Sequence, residues 1–381
     1  MRTVVMLGLG VLGIATSALA QVTERRLTTA DARFPHEFSS IRGVRELPDG
    51  RVIVSDGIDE VVMIADMKTG KGDTLGRVGQ GPGEYKMPDA LYPLPNGGTL
   101  LVDLGNGRLT FLGPDGRYRE STPIAQSLGE NMLIVIPRAT DGQGRIYFQP
   151  FGGGPGRGIP DSASVVRWDR ARARFDTVAK VKLPTMNTQS SGDANNRAVR
   201  MRPRPYPAAD AWSAGPDGRV AVARVSDYHL DVVGADGRVV RGRPVTFTPV
   251  PIRDADKREW AAEQAGGLRV SMENRNGQMS MSFGRGGGQD DGEDQAIAET
   301  EWPAAKPPFS AVFVSPAGEA WVERSVPAGS PRVMDVFDAA GNLKTRVTLP
   351  AGRRFAGFGN GVVYLRHSDD SDLQHLERYR L

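Results

Sequence analysis

Six times along the chain an apolar stretch runs into a tight turn built on Asp-Gly or Asn-Gly. A β-rich run follows each time, and a second turn comes about twenty residues later. The first turns fall at Asp49-Gly50, Asn96-Gly97, Asp141-Gly142, Asp217-Gly218, the degraded Ala317-Gly318, and Asn360-Gly361. Such pairs suit the positive φ that tight hairpins require. No helical crossover separates the strands within a copy, so each copy is an antiparallel unit. Six such units point to an all-β fold: a six-bladed β-propeller of four-stranded antiparallel blades.

The first copy shows the unit most clearly. Residues 38–47 are read as its innermost strand, and 51–56 alternate apolar and polar residues as a half-buried strand does. Residues 60–65 and 72–78 follow as third and outer strands, around a turn at Thr69-Gly70. The turns are spaced 47, 45, 76, 100 and 43 residues apart. The short intervals match one blade. The long ones place insertions after blades three and four, at about 189–206 and 251–308. The sixth copy is one strand short, and residues 24–32 have strand-like alternation. Pairing of this N-terminal strand with the last hairpin is expected to close the ring and leave no open edge.

Residues 1–20 read as a secretory signal peptide: Arg2, an apolar run over 4–14, and the cleavage signal Ala18-Leu19-Ala20. Gly8-Leu9-Gly10-Val11-Leu12-Gly13 also matches a dinucleotide fingerprint, but the helix and parallel strand that motif needs do not follow. The expected product is an exported protein, periplasmic or extracellular, with residues 21–381 as a single propeller domain. No later segment is apolar enough for a membrane span. The chain has no cysteine, so stability must come from the core rather than from disulfides. A net charge of +3, with 48 Lys and Arg against 45 Asp and Glu, argues against a nucleic-acid partner.

From Gly76 the chain reads Gly-Arg-Val-Gly-Gln-Gly-Pro-Gly-Glu-Tyr-Lys-Met-Pro, and later Val102-Asp103-Leu104-Gly105-Asn106-Gly107-Arg108-Leu109. This resembles the NHL repeat, with its Gly-rich lead-in, aromatic, Pro, strand, Asp-Gly and "V-x-D…N-x-R". It looks still more like a bacterial exported six-bladed β-propeller family with the signature G-x-G-P-G-E-[FY]. The match covers roughly residues 38–120, and Gly107 stands where the repeat usually has a bulkier residue. The resemblance implies fold and export; it implies no particular activity.

Chemistry-bearing motifs are sparse. There is no H-E-x-x-H, P-loop or G-x-S-x-G. None of His36, His229, His367 and His375 has metal-ligand spacing to another, and His229 sits in a plain strand pattern. The glycine run at 152–156 and the acidic stretch at 369–372 read as hairpin tips. The first insertion carries Arg197, Arg200, Arg202 and Arg204 on an expected extended arm. Clustered guanidinium groups of that kind attract carboxylates and other anions; the plainer reading is a solvated basic loop. The second insertion opens with an expected helix over 254–264, capped by Asp254 or Asp256, followed by a Gly-rich acidic stretch over 284–294. It reads either as a lid over the channel or as a surface loop.

Candidate ligand-binding residues at the channel mouth are Arg42, Arg204, Tyr206, Asp210 and Lys306. Asp89 and Asp210 each lie seven residues before their turn, so both are candidates for an axial Ca²⁺. The same carboxylates are equally suited to pairing with Arg42, Arg138, Lys306 or Arg354, and Glu46 is a further inner-strand acid. Three functions fit this sequence. The first is a non-enzymatic binding or interaction scaffold for a protein, a glycan or a small anion. The others are a metal-dependent hydrolase or lactonase of the propeller type, and a structural subunit of an envelope complex. Absent catalytic motifs favour the first.

Overall fold

The computed structural model describes residues 22–128, 131–150, 160–192, 196–265, 268–275, 278–285, 297–298 and 300–381. The expected signal peptide, the glycine run at 152–156 and most of the stretch 284–294 lie outside these residues. Six antiparallel four-stranded sheets follow one another around a ring, forming a six-bladed propeller. Their innermost strands are Ile41–Glu46, Pro88–Pro93, Pro137–Thr140, Ala211–Ala214, Phe309–Val314 and Arg353–Gly359. Innermost strands of neighbouring blades touch: Ile41–Glu46 packs against both Pro88–Pro93 and Arg353–Gly359.

The turns follow from local chemistry. Gly50, Gly97, Gly218, Gly318 and Gly361 adopt φ of 85°, 77°, 79°, 81° and 67°. Ala317-Gly318 therefore works as a turn without Asp or Asn, because the glycine meets the conformational demand. The third copy departs from the pattern. Gly144, not Gly142, takes the positive φ of 76°. Asp141 opens that turn and accepts the backbone N–H groups of Gln143 and Arg145 at 2.9 and 3.1 Å.

The expected half-buried alternation in the second strand of blade one is replaced by burial along its whole length, Val52–Asp56. Each blade is packed on both faces by its neighbours, so apolar side chains on either face find a core.

The ring closes as expected in kind, but with a later strand. Ala32–Phe38 pairs antiparallel with Gln374–Arg380 and completes blade six. Thr23–Arg26, from the stretch read as the closing strand, instead runs parallel to Leu343–Thr348 on the outside of blade five. The physical reason lies in the side chains. Residues 32–38 bring Phe34 and Phe38, both 1% exposed, into a cluster with Ile41, Val44, Val52 and Val54 of blade one and Tyr364 and Leu376 of blade six. Thr23–Arg26 is exposed throughout. The innermost strand of blade one consequently begins at Ile41 rather than Phe38.

Both insertions interrupt connections that lead into an innermost strand, so they emerge on the same face of the ring. They also join. Met186–Gly192 and Asn196–Pro203 from the first pair with Leu268–Arg275 and Gln278–Arg285 from the second, in one four-stranded sheet. The expected extended arm is thus a hairpin, and a second hairpin precedes the Gly-rich stretch. The expected helix is present as Asp254–Ala265.

The aromatic seal predicts its own cost. Phe34→Ala should destabilise the protein by about 3–5 kcal/mol, because a fully buried ring is lost and the cavity relaxes only in part. Ile58→Ala, at a side chain 56% exposed, should change stability little. Urea denaturation of the two variants compares them directly.

Candidate binding site at the channel mouth

The signature loop over blade two turns out to be a clamp that holds the chain together. The Arg108 guanidinium donates to the carbonyls of Gln80, Gly81 and Glu84 at 3.0, 3.1 and 2.6 Å, and to the Asp103 carboxylate at 2.8 Å. Asn106 Nδ2 donates to Gly79 O and to Asp103 Oδ2 at 2.9 and 2.8 Å. Glu84 folds back to accept the Gly81 N–H at 2.7 Å. A Cβ on Gly79 would lie 2.2 Å from the Glu84 carboxylate and would push it out of the clamp. Tyr85 is buried and its hydroxyl accepts the Val62 N–H at 3.1 Å. The Glu84, Tyr85, Asp103, Asn106 and Arg108 side chains of the motif are all spent on structure.

The same device recurs on later blades. Arg224 bonds Asp231 at 2.7 Å and Asp210 at 2.9 Å. Asp335 is fully buried between Arg324 and Arg346, and also accepts the Tyr228 hydroxyl at 2.6 Å. His229 is buried between Asp227 and Asp231, a structural role in keeping with its strand pattern.

The mouth is shaped by how the second insertion is anchored. Asp256, in the first turn of the helix, pairs with Lys306 at 2.7 Å, and the two side chains are only 2% and 3% exposed. The remaining Asp256 bonds come from the backbone N–H groups of Arg253 and Ala328, at 2.9 and 2.8 Å. Lys306 Nζ also donates to Val326 O at 2.8 Å and lies 4.9 Å from the centre of the Tyr206 ring. The Tyr206 hydroxyl donates to Asp256 O at 2.6 Å. Trp302 packs edge-on against Trp260 of the helix with centroids 5.3 Å apart. From the next helical turns Glu259 and Glu263 reach Arg332 and Arg354; Glu259 lies 2.7 and 2.8 Å from them. Arg354 belongs to the innermost strand of blade six, so these contacts tie the helix to the channel wall.

Charge inside the ring is unevenly balanced. Arg138, on the innermost strand of blade three, keeps contact with solvent, yet desolvation by the surrounding protein pulls its pKa down. A side chain meets both conditions when it projects into a narrow water-filled channel. It has no ion-pair partner among the described residues. Arg366 is likewise pulled down by desolvation and by Arg354, against the pull of Glu263 and Glu323, and its Nη1 donates to Ile41 O at 2.8 Å. Arg45, deeper on blade one, is desolvated as well. Burial pushes Glu323 up, against the pull of Arg332 and Arg354.

The residues singled out from sequence fall into separate places. Tyr206 and Lys306 come together, but in the buried anchor. Arg204 lies 3.5 Å from Glu301 in an exposed pair. Asp210 accepts from Arg224 and from the backbone N–H groups of Lys182 and Val225, both at 3.0 Å, so a metal there would have to displace a guanidinium. Its partner is none of those expected. Arg42 and Asp89 stand on the innermost strands of blades one and two. The Asp89 charge acts on Tyr92, whose hydroxyl donates to Pro137 O at 2.8 Å. Arg332 and Arg366 were missed, and no local motif marks them. Side chains of Arg197, Arg200 and Arg202 lie outside the described residues.

No protein-family model matches the chain, and no curated protein matches it. Several solved structures are similar. A calcium-binding protein, regucalcin, from Agrobacterium tumefaciens shares 12% identity over 94% of this chain and 97% of its own, with a TM-score of 0.43. A Bacteroides fragilis protein described as exported shares 11% over 94% and 99%, at 0.46. Virginiamycin B lyase from Staphylococcus aureus shares 9% over 93% and 98%, at 0.43. At such identities the likeness says nothing of activity. No helix among the described residues is long and apolar enough to cross a membrane.

Acid should release the helix. Desolvation alone would raise the Asp256 pKa, but the bonds from Lys306, Arg253 and Ala328 outweigh it and hold the carboxyl below 3.8. A depressed carboxyl contributes stability that is complete above its unfolded value and lost as pH falls through the folded one. Tryptophan emission should therefore shift to the red below pH 3.8 as the Trp260–Trp302 contact opens. Lys306→Met, which leaves Asp256 buried and uncompensated, should cost about 3–5 kcal/mol at neutral pH, read by thermal denaturation.

Proposed function

We propose that this chain is an exported, non-enzymatic binding propeller whose channel mouth takes an anionic ligand, a carboxylate- or phosphate-bearing molecule or acidic peptide. One observation carries the reading. Arg138 and Arg366 are desolvated guanidinium groups at the end of the channel where the innermost strands begin, and neither has an ion-pair partner among the described residues. Desolvated cations with no directly paired counter-charge are costly, and for Arg366 the more distant Glu263 and Glu323 do not outweigh desolvation. An incoming anion offsets that cost and gains bidentate hydrogen bonds in return.

Arg332 and Arg354 extend the same basic surface, where the helix carboxylates Glu259 and Glu263 occupy the places an anion would take. Arg42 lies beside Ile41, the residue whose carbonyl orients Arg366. The hydrolase reading finds less support, since Asp210 is already committed to Arg224 and two backbone groups.

The test is calorimetric titration of the mature chain with a hexaglutamate peptide and with inositol hexakisphosphate. Binding of at least one probe is expected, weakening as salt rises. Arg138→Gln with Arg366→Gln should reduce its affinity by about tenfold or more, some 1.4 kcal/mol. Absence of binding to both probes, or equal affinity in the variant, would overturn the assignment.

A further inference from the structure

Blade six carries a second cluster, on its three outer strands. Three of its strands lie side by side: Ala32–Phe38, Gln374–Arg380 and Val362–Ser368. The register sets Glu37 directly opposite His375, and His375 directly opposite His367. Residues directly opposite one another project from the same face of a sheet. One row across the closing strand and the last hairpin is therefore Glu37, His375, His367. Asp369, from the turn of that hairpin, adds a fourth group, its Oδ2 3.0 Å from His375 Nε2.

The geometry brings three potential metal ligands together. One ligating atom each from Glu37, Asp369 and His375 lie within 4.8 Å of one another. The Asp369 carboxylate is held in place, because its Oδ1 accepts the backbone N–H groups of Ser371 and Leu373 at 2.9 and 3.1 Å. Such supporting bonds orient ligands in metal sites. The imidazole of His367 stacks at 28° on that of His375 with centroids 6.3 Å apart, and its Nδ1 is buried with no hydrogen-bond partner. An unsatisfied buried ring nitrogen is rare and calls for an explanation; a metal ion would supply its missing partner. Two cations act on His367: Arg353, itself paired with Glu377 at 3.0 Å, and Arg33.

We propose that Glu37, Asp369 and His375, completed by His367, bind a divalent transition-metal ion of the zinc type. Two imidazoles and two carboxylates suit Zn²⁺, Co²⁺ or Ni²⁺, whereas Ca²⁺ takes oxygen ligands alone. Zinc–ligand bonds of about 2.0–2.2 Å place tetrahedral ligands about 3.3–3.6 Å apart. Atoms of Glu37, Asp369 and His375 already lie within 4.8 Å of one another, whereas His367, its ring centroid 6.3 Å from that of His375, must swing inward to complete the shell. The bound ion would join the N-terminal closing strand to the hairpin it pairs with, so it would act as a staple on ring closure. This site shares no residue with the anion site at the mouth.

The test uses the untagged mature chain, stripped with chelator and titrated with ZnCl₂, NiCl₂ and CaCl₂ by calorimetry and thermal shift. One Zn²⁺ per chain is expected, with Tm raised by about 5 °C at a hundredfold excess over Kd. CaCl₂ should give no comparable shift. His375 is buried and His375→Ala risks misfolding, so Glu37→Gln and Asp369→Asn serve as the main variants. Each should keep the metal-free Tm within a few degrees while weakening Zn²⁺ binding tenfold or more. Co²⁺ should give visible bands of tetrahedral coordination that fade in His367→Gln. No stoichiometric Zn²⁺, a shift with Ca²⁺ alone, or binding unchanged in Glu37→Gln and Asp369→Asn would overturn the proposal.

Discussion

The rest of this structure depends on one contact: Phe34 and Phe38, carried by the N-terminal strand, stacked in the groove between the last blade and the first. A propeller is a closed ring of sheets, and the seam between its ends is its weak point. Here the seam is made from opposite ends of the chain. Backbone bonds between Ala32–Phe38 and Gln374–Arg380 align it, and the two buried rings keep it shut. The innermost strands then stay in a circle, which fixes the positions of the channel arginines and of the groups on blade six.

A second constraint is how the ring handles buried charge. Asp103, Asp210, Asp335 and Asp256 are each held by a cation together with further donors. Such arrangements do not add much net stability, since desolvation offsets the Coulomb gain, but breaking one is costly. They pin loops to blades. The signature loop, the entry to blade four and the insertion helix are all fastened this way. Among the described residues, Arg138 and Arg366 are desolvated with no ion-pair partner, and exceptions to a satisfied pattern are where binding is sought.

Legibility varied with how local the determining physics was. The hairpin turns could be read because glycine at positive φ is a one-residue requirement, and five of the six first turns place glycine as expected. The closing strand was misplaced because alternation over 24–32 looked as strand-like as 32–38; what separates them is the groove that receives Phe34 and Phe38. The sheet joining the two insertions had a usable signal, the Asn276-Gly277 pair between alternating stretches, overshadowed by the glycine-rich run that follows. The candidate site was less legible. Lys306 and Tyr206 were brought together, but to bury Asp256. His367 and His375 look unrelated along the chain, yet strand register makes them neighbours.

By itself the sequence determined the repeat, the blade count, the closure by an N-terminal strand and the two blades after which insertions come. These follow from turn chemistry and strand period, which act over a few residues. Tertiary structure alone decided which charges are paired and which are left over. Coulomb and desolvation energies depend on distance through space, and the partners that matter here, such as Asp256 with Lys306 and Glu259 with Arg354, lie 50 to 95 residues apart in the chain.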